Sequence, residues 1–164
     1  MRGGRRVPLD VTLAAIPQGG GRGVSTGQTP PPLGATPVMG SDPVDLAQLR
    51  GRVVVVDFWA SWCGPSRAMM PVLNRLSQRY AAQGLTVIGL TDEAPSIARQ
   101  VGSSMGIRYT LATSDVAMGS YRVDSLPTMV MIDRSGRVRE VTVGMESPRE
   151  LESTITRLLA EPTP

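Results

Sequence analysis

RVVVVDFWASWCGPS, residues 52–66, is a Val-rich apolar run that breaks abruptly into Trp-Cys-Gly-Pro. Arg52–Ala60 shows no alternation of apolar and polar residues, which predicts a strand buried on both faces. Downstream, Met69, Val72, Leu73, Leu76 and Tyr80 recur at helical spacing. Cys63 therefore stands where a buried strand passes into the start of a helix. There, unpaired N–H groups and the positive end of the helix dipole favour a thiolate. Pro65 suits a first helical turn because it has no N–H to leave unpaired. Gly64 is expected to give the backbone room, and Trp59 and Trp62 to wall the sulfur. A lone Cys is ordinarily inert core filler, but this setting points instead to a redox-type nucleophile.

Composition narrows the chemistry around that thiol. The 164 residues hold 17 basic side chains, all Arg, and 14 acidic ones, for a net charge of +3. The arginines are scattered, so no basic stripe for nucleic acid is expected. With no His there is no His-based triad and no His-ligated metal, and with one Cys no internal disulfide framework and no Cys-rich metal cluster. No metal and no cofactor is expected. No run approaches the ~18 apolar residues of a membrane-spanning helix. Carboxylates, hydroxyls, Arg and Cys63 remain.

Composition also divides the chain. Residues 17–37 hold 5 Pro and 6 Gly in 21 positions, which predicts a flexible-to-extended linker. Residues 1–16 contain an island, RRVPLDVTLAAIP, whose Val7, Leu9, Val11 and Leu13 alternate with polar or Pro positions at strand period. It is expected to be an added edge strand, a disordered segment, or the end of a preceding domain. Its basic start is a poor signal peptide, because the apolar part is short and carries Asp10 and two prolines. Residues 38–160 are expected to form the folded domain, with 161–164 a tail.

Within that domain strands and helices alternate. Leu85–Thr91 predicts a second buried strand, and Gly84 fits a helix-ending glycine. Pro71 should kink the first helix. Ala94–Met105 predicts a helix with Asp92 as a candidate cap. Tyr109–Ala112 predicts a short strand and Val116–Tyr121 a short helix. Thr128–Asp133 and Arg137–Val143 predict a hairpin turning at Arg134-Ser135-Gly136. Ser147–Ala160 predicts a closing helix with Ser147, Pro148 and Glu150 forming a capping box. The fold class is α/β, a central mixed sheet flanked by helices.

VVVVDFWASWCGPS resembles the active-site segment of thioredoxins. Pro71, Leu126-Pro127-Thr128, Gly136 and Gly144 match further landmarks. The long run from Leu85 to Leu126 and the LAQLRGRVVVVDFWASWCGP lead-in make residues 38–160 most similar to the TlpA/ResA thiol–disulfide oxidoreductases. The resemblance implies a thioredoxin-like fold with an extra helix and strand before a cis-Pro loop. It implies that Cys63 attacks substrate disulfides and that the clients are proteins or peptides carrying disulfides or thiols. Trp62, Gly64, Pro65, Leu126 and Pro127 would form the substrate platform. An extracytoplasmic location, periplasmic or membrane-tethered, follows from the resemblance alone. VPLDVTLAAIP is weakly similar to the closing strand of PDZ domains in HtrA-type proteases, as if the chain were part of a longer protein.

One residue departs from the family pattern. The motif is C-x-x-C, and here it reads C-G-P-S, with Ser66 where the resolving cysteine belongs. A hydroxyl cannot break a mixed disulfide, so full dithiol turnover is not expected. Either Ser66 was introduced to trap substrate or the gene lost the cysteine recently, or the protein is natively monothiol and takes its second sulfur from a partner or a small thiol such as glutathione. C-G-P-S is close to the C-G-F-S of monothiol glutaredoxins. The residues expected around a one-Cys peroxidase thiol are absent. Asp57, inside the Val-rich strand, is either an acid paired with a neighbour or, by the resemblance, the buried acid that exchanges the resolving thiol's proton. Arg67 either steers acidic partners, stabilises the thiolate, or is a solvated helix residue. Met69, Met70, Met118, Met129 and Met131 are core or a soft substrate surface. The reading from a different class is a non-catalytic peptide-binding module, with the groove between Trp62 and Pro127 holding an extended chain.

Overall fold

The computed structural model describes residues 23–164. The strand-like island of 1–16, its PDZ-like resemblance and the first part of the expected linker lie outside the described residues. The elements in chain order are β1 (Thr36–Met39), β2 (Val53–Phe58), α1 (Gly64–Tyr80), β3 (Leu85–Thr91), α2 (Pro95–Met105), β4 (Thr110–Thr113), α3 (Ala117–Ser120), β5 (Thr128–Ile132), β6 (Val138–Val143) and α4 (Pro148–Leu159). They form one six-stranded sheet in the order β1-β4-β3-β2-β5-β6.

The sheet is mixed, as the alternation of elements implies. β2, β3 and β4 run parallel, while β5 pairs antiparallel with β2, β6 with β5, and β1 with β4. β2 is central, and its Val53, Val55 and Trp59 face one core with Met69, Met70, Leu73 and Leu76 of α1 and Leu151, Ile155 and Leu158 of α4. Val54, Val56 and Phe58 face the other core, with Leu33, Leu49, Ala117 and Tyr121. Every residue of β2 and β3 is buried, which is why neither shows period-two patterning. Each such Val or Phe contributes roughly 1.5–3 kcal/mol by leaving water.

Segment 23–37, expected as linker, is instead packed on the domain. Leu33 is 1% exposed in the second core, and its carbonyl accepts from the Ser114 hydroxyl at 2.8 Å. Tyr121 donates to the Pro31 carbonyl at 2.6 Å. Thr36–Met39 then joins the sheet as edge strand β1, which tolerates Pro37 because an edge leaves one side of the backbone unpaired. Consecutive prolines lower the chain entropy that ordering removes, so a Pro-rich segment with one large apolar residue can still dock.

Two expected caps differ in detail. α2 starts on Ala94, with no side-chain cap, so Asp92 does not cap it. Ser147 caps α4 by accepting from the Glu150 N–H at 3.1 Å, but the return bond is its own hydroxyl donating to the Glu150 carboxylate. α1 runs as a single helix through Pro71. Gly84, left-handed at φ +110°, closes the short turn that follows α1, and Gly136 takes φ +83° in the β5–β6 hairpin.

Candidate active site

Cys63 is placed by two elements that meet at the C-terminal edge of the sheet. β2 ends at Phe58, the chain crosses a short turn closed by the Cys63 N–H to the Ala60 carbonyl at 3.2 Å, and α1 begins at Gly64. Cys63 is the extended residue that precedes the helix, at φ −95° and ψ 110°, so its side chain stands at the positive end of the α1 dipole. Only 6% of its surface is exposed. The thiol donates to the Leu126 carbonyl, with sulfur and oxygen 3.6 Å apart. The Leu126–Pro127 peptide bond is cis, and Pro127 accepts from the Gly144 N–H at 2.8 Å through its carbonyl, which pins the loop to the end of β6.

A groove of about 590 Å³ opens over the sulfur, lined among others by Trp62, Cys63, Met118, Val123 and Leu126. Trp62 is 75% exposed, so it stands beside the opening and does not shield the thiol. Trp59 is fully buried in the first core and does not wall the site either. Gly64 was expected to supply room, yet a Cβ there would meet no atom within 4 Å. Pro65 occupies the first turn of α1, exposed. Of Met69, Met70, Met118, Met129 and Met131, four are core and Met118 alone lines the groove. Arg67 is half-buried and forms no ion pair with a described carboxylate.

Ser66 lies on the first turn of α1, fully buried, and its hydroxyl has no hydrogen-bond partner among the described residues. Asp57 is fully buried too, and neither carboxylate oxygen has a partner among them. Of the two readings of Asp57, the one that pairs it with a neighbouring arginine or backbone group has no such partner among the described residues. Strand alternation puts Asp57 on the face of Val53, Val55 and Trp59, which α1 covers, and not in the groove. Burial alone lifts its carboxyl to about 7. Beside it on β3 is Gly89, where a Cβ would come within 3.2 Å of both Trp59 Nε1 and the Tyr109 ring. The Tyr109 hydroxyl and Trp59 Nε1 are likewise unpartnered. Burial, and secondarily the Asp57 charge, pushes the Tyr109 hydroxyl well above its ordinary value. Asp57, Trp59 and Tyr109 thus place unpaired polar groups around a glycine beneath α1.

Sequence reasoning missed Glu93. Its carboxylate accepts from the Ser61 N–H and the Ser61 hydroxyl, both at 2.7 Å, and so fixes the loop that carries Trp62 and Cys63. Asp92 and Asp124, which line the groove, were missed as well. The available signal was topological: Asp92-Glu93 follows β3, a parallel strand adjacent to β2, and such strand ends open onto the site in α/β sheets.

Comparison with known proteins agrees with this geometry. Residues 27–159 match the Redoxin family model. The chain is 30% identical over 118 residues to thiol-disulfide oxidoreductase ResA of Bacillus thuringiensis strain Al Hakam, covering 70% of this chain and 68% of that protein. It is also 30% identical over 133 residues to protein DipZ of Mycobacterium tuberculosis, 76% of this chain but 19% of that much longer protein. A solved structure of a putative thiol:disulfide interchange protein DsbE from Chlorobium tepidum superimposes with a TM-score of 0.74 at 29% identity, covering 84% of this chain and 99% of that one. A putative protein disulfide isomerase from Bacteroides thetaiotaomicron gives 0.76 at 27% identity, over 84% and 92%. Built on a thioredoxin-like sheet with its one thiol at the β2–α1 junction, the chain belongs to the redoxin family, among the ResA-type thiol–disulfide oxidoreductases.

Proposed function

We propose that this chain is a one-thiol exchange protein: Cys63 captures disulfide-bearing protein or peptide clients, and a second thiol from outside the chain releases them. The observation that carries this reading is the pairing of Cys63 with the Leu126 carbonyl at the floor of an open groove, with Ser66 buried one turn along α1. The Cys63 thiolate attacks one sulfur of the client disulfide. A Cys63–client disulfide forms, the client's own S–S bond breaks, and the second client sulfur leaves and takes up a proton. A dithiol protein would then attack the new bond from the position of Ser66. Here a hydroxyl stands there, so release needs a partner thiol or a small thiol such as glutathione. Leu126, Pro127 and Trp62 would hold the client as an extended segment beside the sulfur, with Gly64 and Pro65 at the rim. Asp57 keeps its buried place although the thiol it would serve is absent. An extracytoplasmic location rests on the ResA resemblance.

The test is capture and release. Mixed with a disulfide-bearing model protein, the chain should form a covalent adduct at Cys63 that dithiothreitol dissolves and that accumulates for lack of resolution. Ser66→Cys should shorten the adduct's lifetime at least tenfold and add catalytic disulfide reduction. Absence of any adduct, with partner binding unaffected by Cys63→Ser, would move the assignment to a peptide-binding module that does no thiol chemistry.

A further inference from the structure

We propose that the groove over Cys63 selects clients by charge, taking an extended segment with arginine or lysine close to its reactive cysteine; this rests on the thiol-exchange reading above. Two adjoining cavities point to it. The groove itself, about 590 Å³, is lined by Asp92 and Asp124 in addition to its apolar floor of Met118, Val123 and Leu126. Asp92 is shared with a second cavity of about 370 Å³, whose wall adds Glu93 and Asp115. Four carboxylates thus line the trough made by these two cavities, which meet at Asp92, and no arginine among the described residues lines either one. That is unexpected for a chain with 17 arginines and a net charge of +3.

Glu93 is already occupied by Ser61. Asp92, Asp115 and Asp124 are exposed, and each lacks an ion pair among the described residues. Arg67 and Arg122 are near in sequence to the groove's residues, but neither lines it nor pairs with these acids. Nor do the described acids form a cluster suited to a metal ion. The cation that suits this trough is therefore spread along it, as the side chains of an extended peptide are. A cleft of one sign concentrates oppositely charged ligands and speeds their arrival by about 10–10³-fold at low salt. The free carboxylates also repel a negatively charged disulfide, so they discriminate in both directions.

Three small disulfides test this on the whole chain: cystamine with two positive charges, hydroxyethyl disulfide with none, and dithiodiglycolate with two negative ones. In each case the Cys63 thiolate forms a new S–S bond, the probe's S–S bond breaks, and one probe thiol leaves. Adduct formation is followed by mass spectrometry. Each rate is divided by that of N-acetylcysteinamide with the same probe, which removes the leaving thiol's own reactivity. We expect cystamine to exceed the neutral probe about tenfold at ~10 mM salt, and dithiodiglycolate to fall below it. The ratio should approach one at ~0.5 M salt, where screening acts within a few ångströms. The combined Asp92→Asn, Asp115→Asn and Asp124→Asn variant should lose the preference at low salt. Equal rates for cystamine and the neutral probe would overturn charge selection while leaving the exchange reading intact. A preference that survives the combined variant would overturn the assignment to these residues. Reaction with none of the probes would overturn both readings.

Discussion

Asp57 sits in the middle of β2 with no donor to either oxygen among the described residues, and burial lifts its carboxyl from 3.8 to about 7. Well below 3.8 it is protonated in the folded and unfolded chain alike, and no charge is buried. Between 3.8 and about 7 the unfolded chain ionises while the fold keeps the proton, so stability falls as pH rises through that window and levels off above it, where the folded carboxyl ionises too. A rise from 3.8 to about 7 corresponds to roughly 4 kcal/mol. Asp57→Asn should therefore gain of that order at pH 8 relative to pH 4, measured as the change in urea stability between the two. The pH difference is the readout, because an unpartnered amide carries its own burial cost of about 1–3 kcal/mol. The same gain at both pH values would show that the fold does not raise this carboxyl above its ordinary value. Asp57 and Ser66 could be singled out from sequence because a carboxylate in a Val run and a serine in a Cys-x-x-Cys frame each break a local pattern. Asp124 breaks none, and Asp92 and Glu93 are marked only by following a parallel strand beside β2. They matter through neighbours distant in sequence, as Glu93 does through Ser61, 32 residues away.

Glu93 acts at the scale of the β3–α2 connection. It ties that loop to the β2–α1 turn through two hydrogen bonds from Ser61, and a third, from Thr91 Oγ1 at 3.2 Å, holds its carboxylate against the end of β3. Charge-assisted bonds of this kind are worth about 1.5–3 kcal/mol. Glu93→Gln keeps the shape and drops the charge. We expect a loss of about 1–2 kcal/mol in thermal or urea stability and faster amide exchange at Ser61 and Trp62, while exchange in the β5–β6 hairpin stays as it was. On β3 itself, Gly89 leaves a space in the sheet between Leu111, Trp59 and Tyr109. A Cβ there would lie 2.6 Å from Leu111 Cδ2, so Gly89→Ala should destabilise by about 1–3 kcal/mol through overpacking, read by thermal melting. Elements such as β2, α1 and α4 were legible because their periodicity and flanking Gly, Pro and Ser agree with what tertiary packing imposes. β1 was not, because a four-residue edge strand containing Pro37 carries no periodic signal.

At the scale of the molecule, the N-terminal approach to the domain packs onto one face of the sheet. Leu33 fills the core built by Val54, Val56, Phe58, Ala117 and Tyr121, and the Pro31 and Leu33 carbonyls are both hydrogen-bonded to side chains of the α3 region. Leu33→Ala should cost about 2–5 kcal/mol by the cavity it leaves, whereas a residue in a free linker would cost nothing; chemical denaturation decides between them. Composition misled here because counting Pro and Gly measures how poorly a segment folds alone and says little about whether a surface awaits it. The nucleophile and its cover come from distant parts of the domain's chain: Cys63 follows β2, and Leu126 arrives 63 residues later. A sulfur so placed is a gauge of the groove above it. Only 6% of Cys63 is exposed, and that surface faces the groove, so a slim labelling reagent should modify it faster than a bulky one. The ratio of the two rates, each divided by that of a free thiol, then measures how widely the groove opens between Trp62 and Leu126 while the rest of the fold stays closed.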